Sequence, residues 1–596
     1  MDYYGFYTGE EFSAYEYLGA HCNENGTVFR TFAPNAQHIA VIGEWNGWKE
    51  IPINKVYDGN FWECGIPDAK QGMMYKYRIY KRNGVVTDHC DPYGFYAELR
   101  PNTASKIFDL GKFKFKDKKW MSKRGDFLTK PINIYELHFG SWKRRSDEKD
   151  DWYSYSELAD ILIPYLKENG YNYVELMPLN EHPCDESWGY QATGFFSATS
   201  RYGDPDGLRR FVDKCHRNGI GVIMDFVPVH FAVDDYALWN YDGSALYEYP
   251  NSDIGKSEWG SCNFMHARGE VRSFLQSAAL FWLKEFHFDG LRMDAVSNLI
   301  YWQGDQNRGI NHTTLNFIKI MNSGLKSRLP DVILIAEDSS SYLGVTKPVS
   351  ENGLGFDFKW DLGWMNDTLN YFRTQPDLRP QHYHALTFSM MYHYNERYLL
   401  PLSHDEVVHG KATIIQKMSG DYDMKFPQAR AMYLYMLCHP GKKLNFMGNE
   451  IAQFREWDEK REQDWDILKY PKHDAFHRYI MELNQLYLNN PALYANDFAQ
   501  DGFKWLDCHS DRDCVYSFIR KSDDQTLLAV FNFSDKTVDY ILNADGITSL
   551  KLMIDSEASQ FGGCSLKEII PKISDGTVFF ELPPFSGQLY TVKWGF

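Results

Sequence analysis

Several patterns that would assign the chain to a class at once are missing from its sequence. None of the ten cysteines forms a C-x-x-C pair, so the usual motifs of zinc sites and dithiol redox centres are absent. The first residues show no basic segment followed by an apolar one, which is the pattern of a secretory signal peptide. No run approaches the roughly 18 apolar residues of a membrane-spanning helix. We therefore expect a cytoplasmic protein with reduced thiols and no membrane partner.

The sequence also contains fewer basic than acidic residues. Lys and Arg number 63 against 80 Asp and Glu, which gives a formal net charge of −17. A surface of this sign repels phosphate backbones and anionic lipids, so we expect no nucleic-acid partner. Neither a G-x-x-x-x-G-K phosphate loop nor an H-E-x-x-H zinc motif occurs. Aromatic residues, by contrast, make up 16% of the chain, and composition alone leaves open whether they fill cores or stack on ligands.

The hydrophobic pattern changes twice along the chain. From about residue 16 to 110, short alternating runs separated by turn signals predict a β-sandwich. The lysine-rich stretch 112–130 has the composition of a linker. From about residue 497 to the end the alternation returns and predicts a second β-sandwich. The predicted domains are 1–110, 111–496 and 497–596.

Between the two sandwiches, short apolar strands alternate with longer amphipathic segments. The strand candidates are 132–137, 173–177, 221–226, 288–293, 332–336, 356–360, 398–402 and 443–447. Helical periodicity lies between them, for example over 208–218, 271–286 and 313–329. Gly219 follows the first of these helices, where a glycine typically ends a helix. This alternation predicts the α/β class and a parallel (β/α)8 TIM barrel, flanked by the two β-sandwiches, rather than an open sheet.

Polar residues stand where four of the predicted barrel strands end. They are Asp225 and His230 after the third strand, Arg292 and Asp294 at the fourth, Glu337 after the fifth, and His404 and Asp405 after the seventh. A single aspartate in such a place is most often a helix cap or a structural ion pair. Four coincident strand ends are better explained by an active site, because barrel active sites lie at the carboxyl ends of the strands. Arg292 and Asp294, two residues apart, face the same side.

These residue types suit chemistry on a glycosidic bond. That reaction needs two carboxyl groups, and an arginine beside one of them keeps it ionised by lowering its pKa. The four segments, in this order and at this spacing, resemble the sequence regions of the α-amylase superfamily of glycoside hydrolases and transglycosidases. The resemblance implies roles for each position: Asp294 as nucleophile, Glu337 as general acid/base, Asp405 as transition-state stabiliser, Arg292, His230 and His404 as supporting residues, and Asp225 as a structural and sugar-site aspartate.

Within that superfamily the flanking segments resemble those of the branching enzymes. The segments in question are 174–178, 187–191, 353–360, 402–411 and 446–450. The resemblance implies that Tyr190 stacks on the sugar at the cleavage site. Residues 32–36 and 44–48 are similar to the starch-associated module of the same enzymes. Trp45 and Trp48 in that module either bind glucan at its surface or pack its core or its seam with the barrel, and both interpretations stay open.

The implied activity is the cleavage of an α-1,4-glucan by a retaining double displacement, followed by transfer of the chain to a 6-hydroxyl to form an α-1,6 branch, as in glycogen biosynthesis. The partner is then a neutral α-glucan, which an acidic surface does not repel, and we expect a monomer. The reaction requires no cofactor. We expect no metal either, since the segment 231–266, where some superfamily members bind Ca²⁺, shows no run of ligands.

Two other functions fit the same residues. An α-glucan hydrolase of the superfamily, of the amylase or debranching type, would release new reducing ends without making α-1,6 bonds. A non-catalytic glucan-binding protein would keep the barrel as a scaffold and show no activity. The complete set Asp294, Glu337 and Asp405 argues against this last alternative.

Overall fold

The computed structural model of the protein describes residues 1–146, 148–250, 252–566, 570–574 and 576–594. The chain divides into two compact units. They are Met1–Gly125, His138–Leu162 and Glu175–Asp357 in the first, and Asp126–Leu137, Ile163–Val174 and Phe358–Phe596 in the second. Within the described ranges, no helix combines the length and the apolar character that crossing a membrane requires.

The N-terminal region forms two antiparallel sheets after a short helix, α1 (Tyr3–Thr8). The strands are β1 (Gly19–Asn23), β2 (Gly26–Phe32), β3 (His38–Gly43), β4 (Ile51–Pro52), β5 (Asn54–Val56), β6 (Phe61–Ile66), β7 (Met74–Tyr80), β8 (Val86–His89), β9 (Tyr96–Ala97) and β10 (Ser105–Lys106). One sheet has the order β1-β2-β6-β5, and the other has the order β4-β3-β7-β10-β9 with β8 beside β7. Every second residue of β7 is buried, as the alternation predicts.

The two tryptophans of this module have different surroundings. The Trp45 ring packs against Phe29, with 5.4 Å between the ring centroids, so the packing interpretation is confirmed for this residue. Trp48 is 38% exposed and adopts a left-handed backbone conformation with φ of 63°. For Trp48 both interpretations therefore stay open.

The predicted barrel is confirmed. The strands of the central region are β11 (Asn133–Leu137), β12 (Tyr173–Leu176), β13 (Asn180–Glu181), β14 (Gly194–Ala198), β15 (Gly221–Phe226), β16 (His230–Phe231), β17 (Cys262–Asn263), β18 (Gly290–Met293), β19 (Ile333–Ala336), β20 (Phe358–Trp360), β21 (Tyr398–Leu402) and β22 (Lys442–Phe446). A closed barrel runs β11-β12-β15-β18-β19-β20-β21-β22. Each predicted barrel strand overlaps one of these eight, with ends that differ by at most two residues.

The α-helices precede, separate and follow the barrel strands, except between β19 and β20, where the described residues form only a short 3-10 helix, Val349–Glu351. They are α2 (Lys118–Met121), α3 (Tyr155–Glu168), α4 (Pro205–Arg217), α5 (Ser252–Gly255), α6 (Gly269–Glu285), α7 (Val296–Ile300), α8 (His312–Arg328), α9 (Leu362–Arg373), α10 (Ala385–Tyr392), α11 (Ile414–Lys417), α12 (Tyr422–Cys438) and α13 (Pro471–Asn489).

Helix α4 shows how local sequence sets the ends of an element. It begins before the predicted start at 208, because the Asp204 carboxylate caps the Gly207 N–H at 2.6 Å and Pro205 occupies the first helical position. It ends at Arg217, and the predicted stop residue Gly219, whose φ is +80°, follows two residues later. The Gly219 N–H donates to His216 O and the next N–H donates to Cys215 O, which is the Schellman arrangement of a helix C-terminus.

The lysine-rich stretch 112–130 is more structured than a linker. It contains α2, and its Asp117 is only 2% exposed. The Asp117 carboxylate contacts His216 at 2.9 Å and His287 at 2.8 Å. The prediction of a plain linker is therefore wrong for this part of the stretch, because the charge composition masked one buried acid.

The C-terminal region returns to antiparallel sheets, as predicted. The strands are β23 (Phe503–Ser510), β24 (Val515–Lys521), β25 (Thr526–Asn532), β26 (Val538–Asn543), β27 (Ile547–Asp555), β28 (Lys572–Ser574), β29 (Thr577–Leu582) and β30 (Ser586–Trp594). They form one sheet of order β23-β24-β25-β30-β27 and another of order β26-β29-β28. Side chains from both sheets, including Val530, Leu542 and Phe580, share one hydrophobic core.

Candidate active site

Parallel strand register brings Asp225 and Arg292 together at the carboxyl ends of β15 and β18. The two residues are direct partners across this strand pair. Arg292 Nη1 donates to both carboxylate oxygens of Asp225 at 2.8 Å, and each side chain is only 1–2% exposed. Burial raises the pKa of Asp225 above its ordinary value, and the hydrogen bonds from Arg292 oppose that rise.

The same guanidinium reaches two further carboxylates. Arg292 Nη1 lies 2.7 Å from Asp294 Oδ1, and Nη2 lies 4.0 Å from Glu337 Oε2. Burial lowers the pKa of Arg292, but the surrounding acids outweigh burial and hold it well above its ordinary value. The Asp294 and Glu337 side chains are 16% and 19% exposed, so both remain accessible at a buried positive charge.

The backbone after β18 positions Glu337. Ala295 has a left-handed conformation with φ of 48°, and its N–H donates to Glu337 Oε2 at 2.7 Å. The Val296 N–H donates to the Glu337 carbonyl at 2.8 Å, and the Glu337 N–H donates to Met293 O at 3.0 Å. The turn that carries Asp294 thus also binds the neighbouring carboxylate.

Tyr190 is presented to this cluster by a tight turn. Its hydroxyl donates to Asp225 Oδ2 at 2.6 Å. Trp188 and Gly189 before it are both left-handed, with φ of 56° and 91°. A Cβ at Gly189 would lie 2.4 Å from Pro178 O, so only glycine fits this turn without a shift of the backbone.

His230 lies on the short strand β16 and is 2% exposed. Burial lowers its pKa to about 4, so the imidazole is neutral at physiological pH. Its ring contacts the ring of Trp259, with 5.0 Å between centroids. A neutral, buried imidazole is suited to hydrogen bonding with a hydroxyl group.

His404 and Asp405 follow β21 in the other compact unit. Glu136 of β11 accepts the His404 backbone N–H at 2.9 Å through Oε2, and its Oε1 contacts His404 Nδ1. This contact places the Nδ1 proton toward Glu136 and leaves Nε2 facing Asp405 Oδ1 at 3.5 Å. The Asp405 side chain is 51% exposed.

The structure therefore assembles Tyr190, Asp225, Arg292, Asp294 and Glu337 into one cluster, and it pairs His404 with Asp405. Sequence reasoning missed two residues that hold members of these groups, Ala295 and Glu136. The signal for Glu136 in the sequence is an acid inside a short, mostly apolar strand. Within the described part of the chain, no three His, Cys, Asp or Glu side chains are arranged to hold a metal ion.

Known families match all three regions of the chain. Carbohydrate-binding module 48 (isoamylase N-terminal domain) matches residues 17–94. The alpha amylase catalytic domain matches 158–253, and the alpha amylase C-terminal all-beta domain matches 505–593. The matches follow the order of the N-terminal sheets, the barrel and the C-terminal sheets.

Full-length relatives are more specific. The 1,4-alpha-glucan branching enzyme GlgB of Fusobacterium nucleatum is 45% identical, and the match covers 94% of this chain and 92% of that protein. GlgB of Geobacillus stearothermophilus is 43% identical, with coverage of 100% and 93%. This chain belongs to the 1,4-alpha-glucan branching enzyme family. The resemblance inferred from the segments around the catalytic motifs is thereby confirmed.

Solved structures outside the branching enzyme family share the architecture. Pullulanase from Anoxybacillus sp. LM18-11 superposes with a TM-score of 0.75 at 16% identity, covering 98% of this chain and 89% of that chain. A putative alpha amylase from Salmonella typhimurium superposes with a TM-score of 0.72 at 18% identity, with coverage of 97% and 100%. At such low identities the likeness shows the fold alone.

Proposed function

We propose that the protein is a 1,4-α-glucan branching enzyme that acts in glycogen biosynthesis. It cleaves an α-1,4-glucosidic bond with retention and transfers the released chain to a 6-hydroxyl, forming an α-1,6 branch. The observation that carries the chemistry is the pair of partly exposed carboxylates, Asp294 and Glu337, held at one buried guanidinium. The full-length similarity to GlgB proteins supports transfer to a 6-hydroxyl over plain hydrolysis.

In the first step of the proposed reaction, Asp294 attacks the anomeric carbon and Glu337 protonates the glycosidic oxygen. A covalent glucosyl–Asp294 ester forms, and the leaving chain departs with a new 4-hydroxyl. The hydrogen bond from Arg292 to Asp294 favours the ionised nucleophile. A retaining mechanism predicts that the two carboxyl groups lie about 5–5.5 Å apart in the complex with substrate.

In the second step, Glu337 acts as a base. It removes the proton of a 6-hydroxyl on another glucan unit, and that oxygen displaces Asp294 from the anomeric carbon. Two inversions give net retention of the α configuration. Water in place of the 6-hydroxyl gives hydrolysis, so branching depends on an acceptor chain that is bound in place before the ester reacts.

The remaining predicted site residues are proposed to bind the sugar at the cleavage point. Tyr190 would stack on it, and Asp225 and His230 would hydrogen bond to its hydroxyls. On the other compact unit, Asp405 is proposed to stabilise the positively charged transition state, with His404 Nε2 as a hydrogen-bond partner of a sugar hydroxyl. The Glu136 contact that orients His404 supports this last assignment.

The first test incubates the purified protein with linear amylose. Reducing ends are counted, and the anomeric proton NMR signal of α-1,6 linkages is recorded over the same time course. Branching predicts growth of the α-1,6 signal at a nearly constant number of reducing ends. A rise in reducing ends without an α-1,6 signal would identify a hydrolase, and no change in either would indicate a glucan-binding protein. The variant Asp294→Ala serves as the blank.

We also propose a division into domains at 1–110, 111–496 and 497–596, a cytoplasmic location and a monomeric state. Expression of 111–596 without the first region tests the first boundary through its cooperative unfolding. Light scattering coupled to size-exclusion chromatography tests the monomer, for which the chain mass is 69.6 kDa. Cell fractionation tests the location.

A further inference from the structure

A tight turn near the candidate active site carries an exposed indole ring at its tip. In this turn, the Ser257 N–H donates to Ser261 O at 2.9 Å and the Gly260 N–H donates to Ser257 O at 3.2 Å. The hydroxyls of Ser257 and Ser261 also hydrogen bond to each other, and Ser261 is fully buried. Trp259 at the tip is nevertheless 43% exposed, so a large apolar ring is left in water by a rigid turn.

Side chains from other loops fix the backbone of this turn. Gln191 Nε2 donates to Trp259 O at 3.0 Å, and the Trp259 N–H donates to Ser257 Oγ at 3.2 Å. Gln303 Nε2 donates to Lys256 O at 2.9 Å, just before the turn. Because the backbone of Trp259 is fixed before binding, the residue loses little conformational freedom when a ligand covers its ring.

Trp259 lies next to residues of the candidate active site. Its ring contacts the His230 ring at 5.0 Å between centroids and at an angle of 36°. His230 is 2% exposed, and its Nδ1 finds no hydrogen-bond partner among the residues that the structure describes. Gln191, which holds Trp259, directly follows Tyr190, the partner of Asp225. The exposed indole therefore contacts a buried imidazole whose Nδ1 has no hydrogen-bond partner in the described part of the chain.

We propose that Trp259 is a glucan-binding residue, whose indole ring stacks on the apolar C–H face of a glucosyl unit adjacent to the one at Asp294. This inference rests on the proposed function. Water leaves the exposed indole face when the pyranose covers it, and the ring hydroxyls of the sugar stay free to hydrogen bond around its edge. The stacked unit belongs to the donor chain or to the acceptor chain, which share this chemistry.

The direct test measures binding without turnover. Maltoheptaose is titrated calorimetrically into the Asp294→Asn variant, alone and combined with Trp259→Ala or Trp259→Phe. We expect an affinity about 10-fold lower with Trp259→Ala and a smaller loss with Trp259→Phe, which keeps an aromatic face. Trp594→Ala, at a tryptophan of β30 that is 44% exposed, is the matched control and should leave the affinity unchanged.

Equal affinities for the parent and for Trp259→Ala would overturn the proposal, provided that both proteins unfold at the same temperature. Because the titration involves no reaction, it is independent of the branching assay. A wild-type protein that fails to branch amylose contradicts the proposed function, whereas an unaffected titration contradicts only the role of Trp259.

The rates of transfer and hydrolysis by Trp259→Ala, measured on amylose below saturation, then distinguish a contact with the donor chain from one with the acceptor chain. If the donor chain stacks on Trp259, transfer and hydrolysis slow by the same factor. If the acceptor chain does, the hydrolysed share of cleaved bonds rises, because water replaces the poorly bound 6-hydroxyl. Either result supports the proposal, and an unchanged rate with an unchanged hydrolysed share contradicts it.

Discussion

Strand β18 carries a buried cluster of charges at each end, and the two clusters differ in their exposure to solvent. At the carboxyl end, Arg292 pairs with Asp225 and Asp294. Arg292 and Asp225 are buried there, but the Asp294 side chain is 16% exposed. Glu337, which lies at the same guanidinium, is 19% exposed, so this cluster offers two carboxyl groups to a ligand.

At the amino end of β18 the two acids are both buried, and the accessible edge of the cluster is the side chain of His287, which is 25% exposed and lies beside Asp117. Asp289 immediately precedes the strand and accepts from His216 Nε2 at 2.9 Å, Trp120 Nε1 at 2.8 Å and the Val222 N–H at 2.8 Å. His216 also contacts Asp117 through Nδ1 at 2.9 Å. The side chains of His216, Asp117 and Asp289 are 0–3% exposed.

The same physical device, ion pairs removed from water, thus serves two purposes on one strand. A cluster that leaves a carboxylate accessible can react with a substrate, whereas one whose carboxylates are all buried is suited to stabilising the fold. This agrees with the general division of a barrel into a catalytic face at the carboxyl ends of its strands and a stabilising face at the other. Substitutions at the two ends should therefore separate activity from stability.

The largest effect is expected at the carboxyl end. Asp294→Ala removes the proposed nucleophile, and branching activity should fall by about 10⁴-fold or more, while Glu337→Gln should cost about 10²–10⁴-fold. The melting temperature should change little, because both side chains are partly exposed. Full activity in either variant would refute the assignment. A large fall in melting temperature would contradict the proposed difference between the two ends of β18, because the carboxyl end would then also stabilise the fold.

A smaller loss of activity is expected on β11, where Glu136 orients His404 without an assigned chemical role. Glu136→Gln keeps the shape and one accepting oxygen but loses the charge, so the imidazole is held less firmly. We expect kcat to fall about 10–100-fold with little change in KM, on the order of other orienting residues. Glu581→Gln, at an exposed position of β29, is the control. A change in KM alone would contradict a positioning role.

How far these features follow from sequence depends on where the partners lie along the chain. The barrel strands were predictable because strands buried on both faces are short apolar runs, and the carboxylates of the candidate site because they directly follow those runs. Glu136 was not predictable as the partner of His404, since the two are 268 positions apart. Gln191 and Trp259 are 68 positions apart, and only the folded chain brings them together.

Asp117 illustrates a second limit. The stretch around it is rich in lysine, and composition suggests a solvated linker. Its burial depends on His216, 99 positions away, and on His287, 170 positions away. A local pattern reports the average environment of a segment, and one buried side chain within it leaves no periodic signal.

At the amino end of β18, the expected effect is on stability. Asp289→Ala removes the acceptor for Trp120, His216 and the Val222 N–H, and each buried donor left unpaired costs about 1–3 kcal/mol. The melting temperature should fall by several degrees, while kcat, measured well below it, should stay within about twofold of the wild type. Asp466→Ala, whose side chain is 96% exposed, is the control and should change neither quantity. A large loss of kcat in the folded Asp289→Ala variant would contradict the division between the two ends.

The smallest effect is a pH dependence of stability that the same amino-terminal cluster should produce. Burial lowers the pKa of His216, but Asp289 and Asp117 outweigh it and raise the pKa to about 9. The ordinary value in an unfolded chain is about 6.5. Because the folded pKa is the higher one, the stabilisation is complete below about pH 6.5 and is lost as the pH rises through about 9. The melting temperature of the wild type should therefore decline by a few degrees between pH 6.5 and 9.5.

His216→Gln keeps hydrogen-bonding groups without a titrating charge, so its melting temperature should be lower at pH 6.5 and should decline less over the same range. Parallel declines in the two proteins would assign the pH dependence to other groups and would show that the Asp117–His216–Asp289 contacts are too weak to bind a proton in the folded state.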